Sequence, residues 1–229
     1  MTSNGNHPRR RRFASPFLLV LVSLSIFVAR DAPARALIAA RVGTETALAA
    51  EAKQERVTSW ATALEPIFVT NASTRESARI SLYDRFGEID EDARALFERV
   101  ASREPDVHKL SLRVEQLVFK AAYHFGAQRL SVVSAWREHA GKHSTGDAID
   151  FRLAGIGPSI VAAYLRGLSR IGVGIYTHPG TQFVHVDVRE PSFSWIDASP
   201  PGVHGSERPI RERNAAKRDA MYEPEMDLP

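Results

Sequence analysis

Two histidines and an aspartate are the residues whose types and spacing suggest chemistry. His143 and Asp150 stand seven apart in residues 134–150, SAWREHAGKHSTGDAID, and His185 sits in the strand-like run FVHVDV of residues 183–188. Two imidazoles and one carboxylate form a donor set for one metal ion. Zinc in a catalytic site takes three protein ligands from His, Asp or Glu and keeps a fourth position for water. The chain has no Cys, which excludes disulfides, thiolate zinc ligands and thiol nucleophiles and leaves any metal to His, Asp and Glu. The neighbours add a physical reason. Asp150 lies between Ile149 and Phe151, and His185 between Val184 and Val186; a polar group in such a stretch must be paired or metal-bound to offset its desolvation. Small residues at Gly146 and Ala148 let the backbone turn so that a loop histidine and a strand aspartate face one point.

The elements that must position these groups are legible as patterns. Residues 130–135 (LSVVSA) form a β-branched run that predicts a central strand, and residues 148–153 (AIDFRL) predict a second. Residues 172–176 and 182–188 predict two more, joined by the turn THPGT. Before them, Ile80, Leu82 and the turn at Asp84 to Gly87 suggest a short strand. Asp90 then caps a helix with Ala93, Leu96, Phe97 and Val100 on its apolar face. A helix over 107–125 buries Leu110, Val114, Leu117, Val118 and Ala121 and stops at Gly126. Gly157-Pro158 opens a further helix with Ile160, Val161, Tyr164, Leu165 and Leu168 as its buried stripe, ending at Gly172. These patterns predict an α+β domain over residues 76–202, a small, mostly antiparallel sheet with helices packed on it and the metal site at the sheet cleft.

The 229 residues suffice for one core with appendages. The net charge is +3, but residues 1–36 carry six Arg and one Asp, or +5, leaving −2 for residues 37–229. The basic balance therefore belongs to the leader, and the remainder has no electrostatic reason to bind nucleic acid. Arg9 to Arg12 precede residues 17–29, FLLVLVSLSIFVA. That stretch has the length of a signal-peptide apolar region and falls short of the roughly 20 residues that span a bilayer. Residues 1–36 thus read as a signal peptide, cleaved after Ala34-Arg35-Ala36, or as an uncleaved anchor that would be the chain's one attachment to a membrane. Residues 37–75 read as an Ala-rich helix or stalk. Residues 203–229, dense in both charge signs, read as a disordered tail.

Three blocks in order carry a resemblance to a known family: Ser134-Ala135-Trp136-Arg137, then His143-x-x-Gly146-x-Ala148-x-Asp150, then Phe183-Val184-His185-Val186-Asp187. Together they resemble the zinc D,D-peptidases and murein endopeptidases, a family that includes D-alanyl-D-alanine dipeptidases and shares its metal geometry with the hedgehog signalling domain. The nearest branch is the exported one ending in Phe-Val-His-Val-Asp. The resemblance implies that His143, Asp150 and His185 bind zinc and that Arg137 contacts a substrate carboxylate or carbonyl oxygen near it. It also implies an exported zinc metallopeptidase of the periplasm or cell envelope. Such an enzyme acts on the stem peptides or crosslinks of peptidoglycan, as a murein endopeptidase or a D,D- or L,D-carboxypeptidase.

One position departs from the family. The dipeptidase branch places its general base three residues before the second histidine, where this chain has Gln182, a side chain that takes no proton at neutral pH. Asp187 is the substitute, since strand alternation puts it on the face of His185; equally, it can orient His185 from behind. Gln182 keeps open a second reading, a zinc-holding or peptidoglycan-binding module without activity. His108, His124, His139, His178 and His204 default to surface or packing roles. Asp147 is expected to face solvent, and Trp136 and Trp195 are expected in the core or at the rim, with Trp136 able to line the cleft.

Overall fold

Burial alternates along β-strand residues 67–71 and is nearly continuous along residues 148–153, 171–176 and 183–188, which run through the middle of the sheet. The computed structural model describes Gly43, Thr44, Ala47, Leu48 and residues 60–229 apart from His204. The expected leader, most of the expected stalk and His204 lie outside the described residues. The chain divides into residues 1–48, of which the four described residues are helical, and residues 49–229, which hold the sheet. Among the described residues no helix is long and apolar enough to cross a membrane.

The strands are β1 (Ile67–Asn71), β2 (Ser77–Ile80), β3 (Arg129–Ser134), β4 (Ala148–Leu153), β5 (Ile171–Tyr176), β6 (Phe183–Val188), β7 (Phe193–Asp197) and β8 (Arg208–Ile210). They form one sheet in the order β2-β1-β3-β4-β6-β5-β7-β8. Pairings are antiparallel except β1 with β3 and β5 with β7, which are parallel. The architecture is α+β, as expected, but the sheet is larger and mixed. Both parallel pairings involve strands absent from the sequence reading, β1 and β7. The domain accordingly starts before residue 76, because β1 falls inside the range assigned to the stalk.

Three helices cover one face: α1 (Glu91–Ala101), α2 (Leu112–His124) and α3 (Pro158–Leu165). Asp90 caps α1 as expected, its side chain accepting from the N–H groups of Asp92 and Ala93 at 3.0 Å each. Helix α2 starts five residues later than predicted, at the Ser111 cap, and ends before Gly126, whose φ of 60° suits glycine. In α3, Val161 and Leu165 are buried, whereas Ile160 is 58% exposed and leaves the stripe assigned to it. The helix also ends at Leu165 rather than near Gly172. Beneath the helices, Val69, Val132, Phe151 and Val186 are fully buried, each side chain contributing about 1.5–3 kcal/mol.

The C-terminal segment corrects the expectation of disorder. After β8 come α4 (Ala215–Ala220) and a 3-10 turn, Pro224–Asp227. Its buried acids are partnered: Arg113 donates to Asp227 at 2.8 Å, and the Arg170 N–H donates to Asp219 at 2.7 Å. Composition alone cannot register partners that lie tens of residues away along the chain.

Candidate metal centre

The opposite face of the sheet carries the polar residues. Register places Asp150 beside His185, His185 beside Gly174, and Gly174 beside Trp195, one row across β4, β6, β5 and β7. Directly opposed residues share a face, and the alternation that sends Ile149, Phe151, Val184 and Val186 under the helices sends Asp150 and His185 outward from them. The backbone of β3 shifts register between Val132 and Ser134, just before the loop that brings in His143, a common device for re-aiming a chain beside a site. His143 itself ends a 3-10 turn, Gly141–His143. Gly146 then has φ 75°, and a Cβ there would lie 2.0 Å from the Lys109 carbonyl oxygen, so only glycine permits this loop path.

The three expected ligands converge. His185 Nδ1 lies 2.8 Å from Asp150 Oδ1 and 3.2 Å from His143 Nε2, and His143 Nε2 is 3.4 Å from Asp150 Oδ1. One ligand atom from each residue falls within 4.8 Å of the others, and all three residues are buried, so the group can hold a metal ion. The other ring nitrogens explain why. His143 Nδ1 meets the Ala135 carbonyl oxygen, and His185 Nε2 lies 2.9 Å from Asp187 Oδ2. Each contact takes an N–H, so each histidine turns a bare lone pair toward Asp150 Oδ1. Three lone pairs in so small a volume repel unless a cation, either a proton or a metal, sits among them.

Protonation is the metal-free solution. Burial pulls the His185 imidazole down, but the carboxylates of Asp150 and Asp187 on its two nitrogens outweigh burial and raise its pKa above the ordinary value. Burial pushes the Asp150 carboxyl up, yet the bonds from His143 and His185 hold it well below the usual carboxylate range. The same balance, against His185 and Arg189, lowers Asp187.

Arg137 is brought to the site as expected. Its Nη2 donates to Asp150 Oδ2 at 3.1 Å while the side chain stays 48% exposed. Asp187 is placed differently from a general base in contact with substrate. It is completely buried, it sits on the far nitrogen of His185, and Arg189 grips both its oxygens, with Nε at 2.5 Å from Oδ1 and Nη2 on Oδ2. Its position is that of the group that orients the ring, the other role considered for it. Gln182 is an exposed turn residue with φ 43°. Asp147 is half-buried and accepts from Thr145 Oγ1 at 2.9 Å, instead of facing solvent freely. His108 stacks on Trp136 at 3.5 Å and His124 on Tyr164 at 3.8 Å, both packing roles. His178 Nδ1 accepts from the Gly180 N–H in the turn, and His139 is 91% exposed at the surface.

Trp195, expected in the core or at the rim, takes part in the site, and other contributors escaped sequence reasoning. Trp195 packs 5.1 Å from the His185 ring, and its indole N–H points to the Tyr176 hydroxyl at 3.4 Å. Two glycines of β5 make room on this face: a Cβ at Gly174 would be 2.6 Å from the Trp195 ring, and one at Gly172 would be 2.2 Å from Asp187 Oδ2. The alternating glycines of IGVGIY were the available signal, since glycine inside a strand marks a close approach. Arg189 and the Ala135 carbonyl left none. Comparison with protein-family models, curated proteins and solved structures found no match.

Proposed function

We propose that the protein is a zinc-dependent peptidase that cuts peptide bonds in bacterial peptidoglycan, in stem peptides or crosslinks, after export to the periplasm or cell envelope. The convergence of three lone pairs from His143, Asp150 and His185 is the observation that carries this reading. Two neutral imidazoles and one carboxylate suit zinc in charge and ligand type, and they leave a coordination position for a reactant. Bound zinc supplies a Lewis acid for the scissile carbonyl and a water acidified toward a pKa of about 7.

The remaining work falls to the chain's own groups. Ala135 holds the His143 ring, and the Asp187–Arg189 pair holds the His185 ring, each in the tautomer that presents a lone pair. Arg137, anchored through one nitrogen on Asp150, has further donors for a substrate carboxylate or the oxygen on which charge develops. Trp195 packs against the His185 ring from the β7 side, its indole N–H directed to the Tyr176 hydroxyl. Asp187 acts as a positioning residue.

A second reading is favoured by one observation. Among the described residues Asp187 is the one further carboxylate in contact with the ligand trio, and it is committed to Arg189. A module that holds metal and binds peptidoglycan without cutting it would look the same. The two separate on the purified full-length protein incubated with peptidoglycan sacculi. The peptidase binds one equivalent of zinc and releases new amino groups, and His143→Ala removes both. Stoichiometric zinc without release from any muropeptide would overturn the peptidase in favour of the binding module.

A further inference from the structure

On the face that carries the metal group, the sheet continues past it into a basic surface. Arg152 is two residues beyond Asp150 on β4 and shares its face, a step of about 6.8 Å. Ser131 opposes Arg152, Thr70 opposes Ser131, Arg129 opposes Phe68, and Phe68 opposes Arg79. All therefore look the same way. The Arg129 carbonyl accepts from the Ala154 N–H, which places Arg129 four residues from Asp150 along the strand direction, about 13 Å away. A cleft of about 670 Å³ lies here, lined by Phe68, Thr70, Arg129, Ser131, Arg152 and Gln182 among others, and no lining residue is Asp or Glu.

These cations are uncompensated. Arg152 donates to the carbonyl oxygens of Thr181 at 2.6 Å and Gln182 at 3.1 Å, and Arg129 lies 5.7 Å from the Phe68 ring centroid. Neither guanidinium meets a carboxylate among the described residues. The other cleft near the site, about 360 Å³ between Asn71, Ala101 and Trp136, differs in charge, with Glu104 beside Arg103 and His108.

We infer that this basic face is the binding track for an extended peptide carrying free carboxylates on the side facing the sheet, and that Arg129, with Arg152, selects the acid form of the substrate. The inference rests on the peptidase reading for the point at which the peptide is cut. The spacing is the physical argument. Side chains on one side of an extended peptide recur about every 6.8 Å, the step from the ligand Asp150 to Arg152 and again from Arg152 to the position of Arg129. Guanidinium groups pair with carboxylates through parallel N–H bonds that an amide cannot reciprocate. A substrate reaching from the metal group across this face therefore presents acidic groups about two and four residues from the bond cut.

The test is equilibrium binding by calorimetry on the full-length, zinc-loaded protein, with every probe peptide built on an uncleavable backbone isostere so that no turnover occurs. Its probes are a soluble peptidoglycan stem peptide with its side-chain carboxylates free and the same peptide with them amidated. The acid form should bind about ten-fold tighter, the effect of one well-placed charge-assisted contact. Arg129→Gln should reduce that preference and Arg129→Glu should cancel it against the remaining Arg152, with zinc content and Tm unchanged because Arg129 is exposed. Equal affinities for the two peptides, or a preference that survives Arg129→Glu, would overturn the inference. So would full displacement of the peptide by inorganic phosphate at matched charge, which marks a general anion site. A preserved preference in a protein that never releases amino groups would support the track while the peptidase reading fails.

Discussion

Two groups of buried carboxylates among the described residues, the C-terminal pair Asp219 and Asp227 and the ligand-side Asp150, are solved in opposite ways. In the C-terminal clasp, Asp219 receives the N–H groups of Arg170 and Ser192 and the Ser192 hydroxyl, and Asp227 receives Arg113 Nε and the Tyr222 hydroxyl. Every contact there is a donor, so the negative charge is satisfied by the fold alone. In the ligand trio, Asp150 Oδ2 has a donor in Arg137, but Oδ1 faces two imidazole nitrogens whose protons are placed to point elsewhere. Fully paired acids are structural fastenings, whereas an acid surrounded by acceptors requires a mobile cation. The contrast separates architecture from chemistry without reference to any relative.

Breaking each side should give a distinct loss. His143→Ala should take metal content from one equivalent to background by elemental analysis while the circular dichroism spectrum is kept; retained metal would remove the basis of the contrast. Asp219→Ala should do the reverse. Its N–H partners on Arg170 and Ser192 become orphans, so stability should fall by about 2–4 kcal/mol in urea melts with metal affinity unaltered. Asp187→Asn tests the intermediate case, a buried acid that serves a ligand. Metal affinity by chelator competition should weaken about 10- to 100-fold at unchanged stoichiometry. Lost turnover at full affinity would instead restore the base role. Gly174→Ala drives a methyl group against Trp195 and should cost about 1–3 kcal/mol in stability, with the indole shifted off His185 and a change in tryptophan fluorescence.

The smallest effect is a pH dependence, and its sign follows from linkage. His185 has a raised pKa in the metal-free fold, so its proton stabilises that fold fully below the ordinary histidine value of about 6.5, and the contribution is lost as pH rises through the raised value. Metal competes for the same site. The gain in Tm on adding zinc should therefore grow from pH 5.5 to pH 8.5; a gain that shrinks would mean the imidazoles are not the ligands.

The candidate metal ligands were legible because each stands against its local pattern. Asp150 and His185 interrupt apolar runs, and His143 sits near a glycine that the loop cannot do without. Strands β3, β4, β5 and β6, the Asp90 cap and the Gly126 stop were legible for the same local reasons. Strand β1 was within reach, since IFVTN is a β-branched and aromatic run, but the Ala-rich surroundings absorbed it into the stalk. The clasp was out of reach, because Asp219 and Asp227 look like solvated charges until Arg170, Ser192 and Arg113 are brought beside them. Asp187 shows the limit most clearly. Alternation placed it correctly on the face of His185, yet that shared face does not say which ring nitrogen it meets or that Arg189 would close both its oxygens.

By itself, then, the order of residues determined which atoms could bind a metal and the periodicity that carries two of them outward from a helix-covered core, since both depend on interactions within a few positions of the chain. The convergence of His143 with a strand-borne pair, the tautomers set by Ala135 and Asp187, and the basic surface beside the trio were decided by the packed sheet. Register between strands far apart in the chain is a collective property of the whole core, and it is register that brings those side chains within hydrogen-bonding distance.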